Sequence, residues 1–218
     1  KIPITITLEN FSYVDDLKKR NMRNYLKIPL NKIVIGSFQK DAHGWGKGNE
    51  PKLIKGPDIF LKSLEILKNT YKNDLHVLLT GPARGYVKKG LEKLNISYSH
   101  FYVSNFKSIE KYYHALDLYL VTSREEGGPR MILESMACGI PLVSTKVGQA
   151  TDLIKHGWNG WLIDIGDYEG IANQAKNVLE QRNSISKILV NGRTTAQKNS
   201  AISLVPMWKN FFEGFVNF

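Results

Sequence analysis

The sequence predicts an α/β fold, a doubly wound parallel sheet of about six strands. Two observations carry this prediction. Short, mostly apolar runs recur along the 218 residues, at Lys32–Gly36, Leu75–Thr80, Ser97–Val103, Leu118–Val121, Leu142–Ser144 and Trp161–Ile163. They are too short for helices and read as buried strands. Between them lie longer segments whose apolar residues recur at helical spacing, such as Phe60, Leu64, Leu67 and Tyr71. Strands alternating with helices at this rhythm place any ligand at the carboxyl ends of the strands.

Taken in order, residues 1–8 alternate, with Ile2, Ile4, Ile6 and Leu8 to one side, and predict a strand. Asp15–Leu26 is a polar helix that Pro29 closes. After the strand at Lys32–Gly36 come a helix over Asp58–Tyr71, the strand Leu75–Thr80 and a helix over Tyr86–Leu94. The strand Ser97–Val103 leads to a helix capped by Ser108 and running to Leu116. A central helix over 130–137 follows the strand Leu118–Val121. Pro129 suits its start, and Gly139 and Pro141 stop it before Leu142–Ser144. A turn at Asp152–Lys155, the strand Trp161–Ile163 and a helix over Tyr168–Glu180 come next. The tail from Ser184 reads as helical. Its last segment, Ile202–Phe218, carries Trp208, Phe211, Phe212 and Phe215, a stripe for packing on this domain, a partner domain or a membrane surface.

Composition excludes several classes. Hydrophobic content of 42% and charged content of 23% are those of a water-soluble globular protein. No apolar run approaches the roughly 20 residues of a membrane span. A single cysteine, Cys138, permits no internal disulfide and points to a reducing, cytoplasmic setting; on an apolar helix it reads as a small core residue. The formal charge of +10 suits polyanionic partners, but the lysines are dispersed and no nucleic-acid-binding motif accompanies them. The five histidines show no metal spacing; His76 and His100 fall within strands and read as structural. There is no P-loop, no Gly-x-Gly-x-x-Gly after a strand and no Asp-x-Asp, so neither a cofactor nor a metal is expected.

The stretch from Ser123 to Ser144 holds the chemistry. It is a strand–loop–helix–strand unit with Glu126, Gly127 and Gly128 in the loop and Glu134 on the helix. A helix amino end suits a phosphate, and glycines admit a ligand to the backbone amides. A carboxylate at Glu134 accepts two hydrogen bonds from a vicinal diol such as a ribose, and Glu126 is placed for a sugar hydroxyl. On residue types alone, two solvated surface glutamates remain the alternative.

Glu126 and Glu134 form a Glu-x7-Glu pair inside Glu-Gly-Gly-Pro-x4-Glu-Ser-Met-Ala-Cys-Gly-Ile-Pro-Leu-Val-Ser-Thr-x-Val-Gly, followed later by Gly157–Ile163, Gly-Trp-Asn-Gly-Trp-Leu-Ile. This resembles the signature of glycosyltransferase family four, retaining enzymes of the two-domain B type built from Rossmann-like halves. The resemblance covers nearly the whole chain, and only the carboxyl-terminal half of such an enzyme. It implies residues 1–30 as the interdomain strand and connecting helix, 31–200 as the donor-binding domain, and 201–218 as a C-terminal aromatic helix. The donor implied is a nucleotide-diphospho-sugar such as a UDP- or GDP-sugar, with the acceptor bound by a missing amino-terminal domain.

Residue by residue, the resemblance implies Glu134 on the ribose, Lys55 of Lys55-Gly56-Pro57-Asp58 on the diphosphate, and Glu126 on the transferred sugar. Glu126 and Lys55 are then the catalytic pair, and the Gly127 and Gly128 amides, with Pro129, sit near the phosphate or sugar. Val103 and Phe106 would seat the base. The family has an arginine after the glycine that ends the first strand. Here Ser37 follows Gly36; by position both are donor-binding candidates, and the missing arginine leaves a phosphate contact to Lys40, Lys52, Arg84 or Arg130. Arg84, at the carboxyl end of the second strand, is expected to face the ligand. Lys55 and a helix end replace a metal in this scheme, and no cation is needed. A peripheral position at the membrane face is compatible with the aromatic tail. Two other readings compete: a non-catalytic nucleotide-sugar-binding or scaffolding module, and a basic nucleic-acid-binding domain, which the absence of motifs disfavours.

Overall fold

The computed structural model describes residues 3–105, 108–181 and 184–213. Six strands form one sheet: β1 (Ile33–Phe38), β2 (Leu75–Thr80), β3 (Ser97–Phe101), β4 (Leu118–Val121), β5 (Leu142–Thr145) and β6 (Trp161–Ile163). Their order is β3-β2-β1-β4-β5-β6, and every pairing is parallel. The chain winds outward from β1 to β3, then returns to lay β4 on the other side of β1. That reversal opens a crevice at the carboxyl ends of β1 and β4.

The helices are α1 (Asp16–Tyr25), α2 (Pro57–Tyr71), α3 (Gly85–Lys93), α4 (Glu110–His114), α5 (Arg130–Cys138), α6 (Ala150–Leu153), α7 (Tyr168–Glu180), α8 (Ser186–Lys198) and α9 (Val205–Glu213). They bury the sheet from both sides. Val34, Leu78, Tyr119 and Val121 face one layer with Tyr113, Ile132, Leu133 and Met136. Ile35, Val77, Leu79, Leu118, Leu120 and Val143 face the other, with Phe60, Leu64, Leu67, Ile171 and Ala175. Strands β2, β4 and β5 are buried at every position, as parallel strands covered on both faces must be. Cys138 is buried in the first layer, a core residue as its setting suggested.

Two sequence expectations of secondary structure are corrected. The alternating segment near the amino end is not a strand: from Pro3 it is extended, with a single bridge from Ile6 to Ser200 and a short 310 turn at Leu8–Asn10. Both sheet edges, β3 and β6, lie elsewhere. Ser108 does not cap α4; its hydroxyl donates to the Asn105 carbonyl, and the helix starts at Glu110. The aromatic tail is helical over Val205–Glu213, but Trp208, Phe211 and Phe212 stack mainly on one another and remain exposed. Phe215 lies outside the described residues. Among those described, no helix is long and apolar enough to cross a membrane.

Histidine 76 is built into β2, its ring nitrogens 3.0 Å from the hydroxyls of Ser97 and Ser99. Burial, with Lys32 and Arg23 nearby, lowers its pKa to about 4. The unfolded chain therefore takes up this proton near pH 6.5 while the native state refuses it until about pH 4. The stability that neutral His76 contributes is complete above pH 6.5 and drains as pH falls toward 4. We expect a loss on the order of 2 kcal/mol over that window in urea unfolding, and a flatter profile for His76→Gln.

Candidate functional site

The crevice is built from loops that follow β1, β2 and β4 and from the helix after β4. Between β1 and α2 the chain ends in a 310 turn, Leu53–Lys55, closed by Gly56 at φ +64°. A Cβ on Gly56 would lie 1.8 Å from the Thr122 carbonyl oxygen, and the Thr122 hydroxyl donates to the Gly56 carbonyl at 2.9 Å. Only glycine allows this close approach of the two loops. Next to it, the amides of Arg124 and Glu125 both donate to the Ile54 carbonyl, at 2.7 and 3.1 Å. The Arg124 guanidinium grips both Asp58 carboxylate oxygens at 2.8 and 2.6 Å, which holds that carboxyl below its ordinary range.

Zipped together this way, the loops bring Lys55 to Glu126. Nζ of Lys55 lies 2.6 Å from Oε1 of Glu126, with the two side chains 23% and 10% exposed. The Ser123 hydroxyl donates to the same carboxylate oxygen at 3.0 Å. A lysine ammonium has three donors, so one bond to Glu126 leaves others for an anion. Gly127 is open, with nothing within 4 Å of where a Cβ would be, and its carbonyl accepts the Gln149 amide. Gly128 is covered on its Cα side by Ile4, whose amide donates to the Gln149 side chain. Pro129 is buried as the residue before α5, and Arg130 is exposed at its first position.

Glu134 sits on the second turn of α5 and lines a cavity of about 410 Å³. The other walls are largely apolar, Phe38, Pro82, Val103 and Ile109 among them, with Gln39, Lys40, Thr80, Trp45 and Tyr102 beside them. The Tyr113 hydroxyl donates to Glu134 at 2.9 Å. Burial and the adjacent Glu134 keep that phenol protonated far above its ordinary range, so it is the donor. Burial likewise pushes the Glu134 carboxyl up, and Tyr113 and Arg130 pull it back only in part. Beneath the cavity Phe38, Tyr113 and Tyr119 pack edge to face, and the Phe38 amide donates to the Tyr119 hydroxyl at 2.8 Å. His100, structural as predicted, reaches the Gly81 carbonyl at 2.7 Å and steadies the wall at β2.

The cavity that Glu134 lines and the Lys55–Glu126 pair are joined through Gln39, which lines the cavity and donates to the Lys55 carbonyl at 3.1 Å. Residues 51–195, more than half of the chain, match the family model of glycosyl transferases group 1. The chain belongs to that family.

It is 29% identical over 213 residues to LpsB of Rhizobium meliloti, a lipopolysaccharide core biosynthesis mannosyltransferase. That match spans 92% of this chain and 58% of the relative. A shorter match, 42% identical over 64 residues, is to N-acetyl-alpha-D-glucosaminyl L-malate synthase of Bacillus anthracis, covering 29% of this chain and 17% of that one. The chain therefore spans little more than half of the longer-matched curated relative. Its fold is that of Anabaena HepE, solved with UDP and glucose, at TM-score 0.79, 22% identity, and coverage of 97% of this chain and 56% of that one. It is also that of the C-terminal domain of a group 1 glycosyl transferase, LpcC, of Francisella tularensis. There the TM-score is 0.71 at 20% identity, covering 88% of this chain and 97% of that one.

In this group 1 glycosyl transferase two expected ligand contacts are turned inward. Arg84 is buried, donating to the Ser37 and Thr80 carbonyls at 2.7 and 2.8 Å and to the Ser37 hydroxyl at 3.1 Å, with Asp41 at 3.0 Å. Its charge is spent inside the protein, and Ser37 is spent with it. Gly36 does not end its strand; β1 runs on to Phe38, and a Cβ at Gly36 would lie 2.4 Å from Leu116. Its role is room for the core. Phe106 lies outside the described residues. Sequence reasoning does not point to Tyr113, Tyr102, Trp45 or the Arg124–Asp58 pair for this site, because they reach it only through the tertiary fold. Among the described residues no three His, Cys, Asp or Glu side chains gather as a metal site.

Proposed function

We propose that this chain is the donor-binding half of a retaining, family-four glycosyltransferase that uses a nucleotide-diphospho-sugar such as a UDP- or GDP-sugar. The base enters the cavity beside Val103, and the ribose diol donates to Glu134. The diphosphate meets Lys55 and the Gly127 and Gly128 amides near the start of α5, and Glu126 receives a hydroxyl of the transferred sugar. The single observation that supports this most is the 2.6 Å Lys55–Glu126 pair beside a cavity that Glu134 lines. As the bond from the anomeric carbon to the phosphate oxygen breaks, its electron pair goes to the diphosphate, while an acceptor hydroxyl oxygen bonds to that carbon and gives up its proton. Lys55, fixed by Glu126, neutralises that charge without having to reorganise, and no cofactor enters the scheme. The acceptor comes from an amino-terminal domain, and the positive net charge of +10 draws the anionic donor in from a cytoplasmic pool, at or near a membrane face.

A thermal-shift panel of UDP-, GDP-, ADP- and dTDP-sugars tests this, because a ligand that binds only the native state raises its melting point. One nucleotide class is expected to shift the midpoint by several degrees at 100 times its Kd, about 2.7 kcal/mol of added stability. A flat response to all four contradicts the reading.

A further inference from the structure

The segment after β1 holds a feature that packing does not explain. Residues 40–51 fold back on themselves through an Ala42–Pro51 bridge and a 3.0 Å hydrogen bond from the His43 amide to the Glu50 carbonyl. Asp41 anchors one end against Arg84, both side chains at most 1% exposed. The other side docks on the start of α3, where the Gly85 and Tyr86 amides donate to the Lys47 and Gly48 carbonyls at 2.9 and 2.7 Å. Gly48 and the Ala83–Gly85 backbone are so close that a Cβ at Gly48 would lie 2.1 Å from Ala83. The segment is therefore held at three places.

At its tip this pinned segment holds Trp45 78% exposed, against 43% for Trp158, 38% for Trp208 and 7% for Trp161. The indole nonetheless forms part of the cavity wall that Glu134 shares. Lys40 sets its ammonium 3.9 Å from the ring centroid. With the Lys40 ammonium over the ring, 78% of the residue's surface still stays open to solvent. A large flat apolar surface, carried by an anchored segment beside a cavity lined largely by apolar groups, suits a planar heteroaromatic ring.

We propose that Trp45 stacks on the nucleobase of the bound donor, and that the 40–51 segment exists to hold it there. This rests on the cavity being the nucleotide site. Stacking recognises the face common to all bases, so Trp45 adds affinity without choosing among them.

Calorimetric titration of the chain with UDP, GDP, ADP and dTDP, in wild type, Trp45→Ala and Trp45→Phe, tests it. Trp45→Ala is expected to weaken the tightest of the four by roughly tenfold with an unchanged melting point, and Trp45→Phe to retain most of the affinity. Nucleotide is also expected to quench tryptophan fluorescence in wild type but not in Trp45→Phe. Wild-type affinity in Trp45→Ala, or undiminished quenching in Trp45→Phe, overturns the stacking role while leaving the nucleotide site intact. Failure of wild type to bind any of the four overturns both.

Discussion

Replacing Arg84 by leucine is expected to lower the unfolding free energy by about 3–5 kcal/mol, the range for breaking one half of a buried ion pair. Asp41, 1% exposed, would be left without its partner, and the carbonyls of Ser37 and Thr80 would lose their donor. Burial already raises the Asp41 carboxyl above its ordinary range, with Arg84 pulling against it, so removing Arg84 drives that carboxyl toward the neutral form. Joining Asp41→Leu to Arg84→Leu is expected to recover part of the loss, because no charge then remains to be solvated. Chemical denaturation of the two variants reads this directly. A cost below about 1 kcal/mol for Arg84→Leu would show that the pair is not what fixes the 40–51 segment.

Glu134→Ala is expected to weaken nucleoside diphosphate binding by about tenfold to a hundredfold, the loss of a charged hydrogen-bond pair. A smaller effect is expected of Tyr113→Phe, which removes a hydroxyl that donates to that carboxylate. The pH dependence has a definite sign. Ribose hydroxyls favour the ionised carboxylate, whose pKa burial has raised. Affinity is therefore greatest above that raised pKa and falls as pH drops through it, by proton competition. In Glu134→Ala that acid-side loss disappears. Equal affinities for wild type and Glu134→Ala across the pH range would place the ribose elsewhere.

Much of the fold was legible because buried parallel strands leave a plain mark. Leu75–Thr80 and Leu118–Val121 are apolar on both faces and bounded by turn residues, and their limits agree with the structure. The amino-terminal alternation misled because an extended segment packed across the molecule alternates just as a strand does; Ile6 is buried but has a single bridge partner. In the site, spacing could place Glu126 in a loop and Glu134 on the following helix, since both belong to one local unit. What it could not place depends on long-range meetings. Arg84 stands where a ligand contact is common, yet a buried aspartate from the loop after β1 claims it. Likewise Tyr113, on α4, meets Glu134 through tertiary packing alone. Trp45 lies between Gly44 and Gly46, and nothing local says that the loop folds back over α3.

The most direct test is a crystal structure of the chain grown with the nucleoside diphosphate that gives the largest thermal shift. The expected result is density at the carboxyl ends of β1 and β4, with a ribose hydroxyl within about 3 Å of Glu134 and a phosphate oxygen within about 3 Å of Lys55 Nζ. A nucleotide bound away from both side chains, or a filled cavity with Glu134 still facing only Tyr113, would contradict the donor-site assignment.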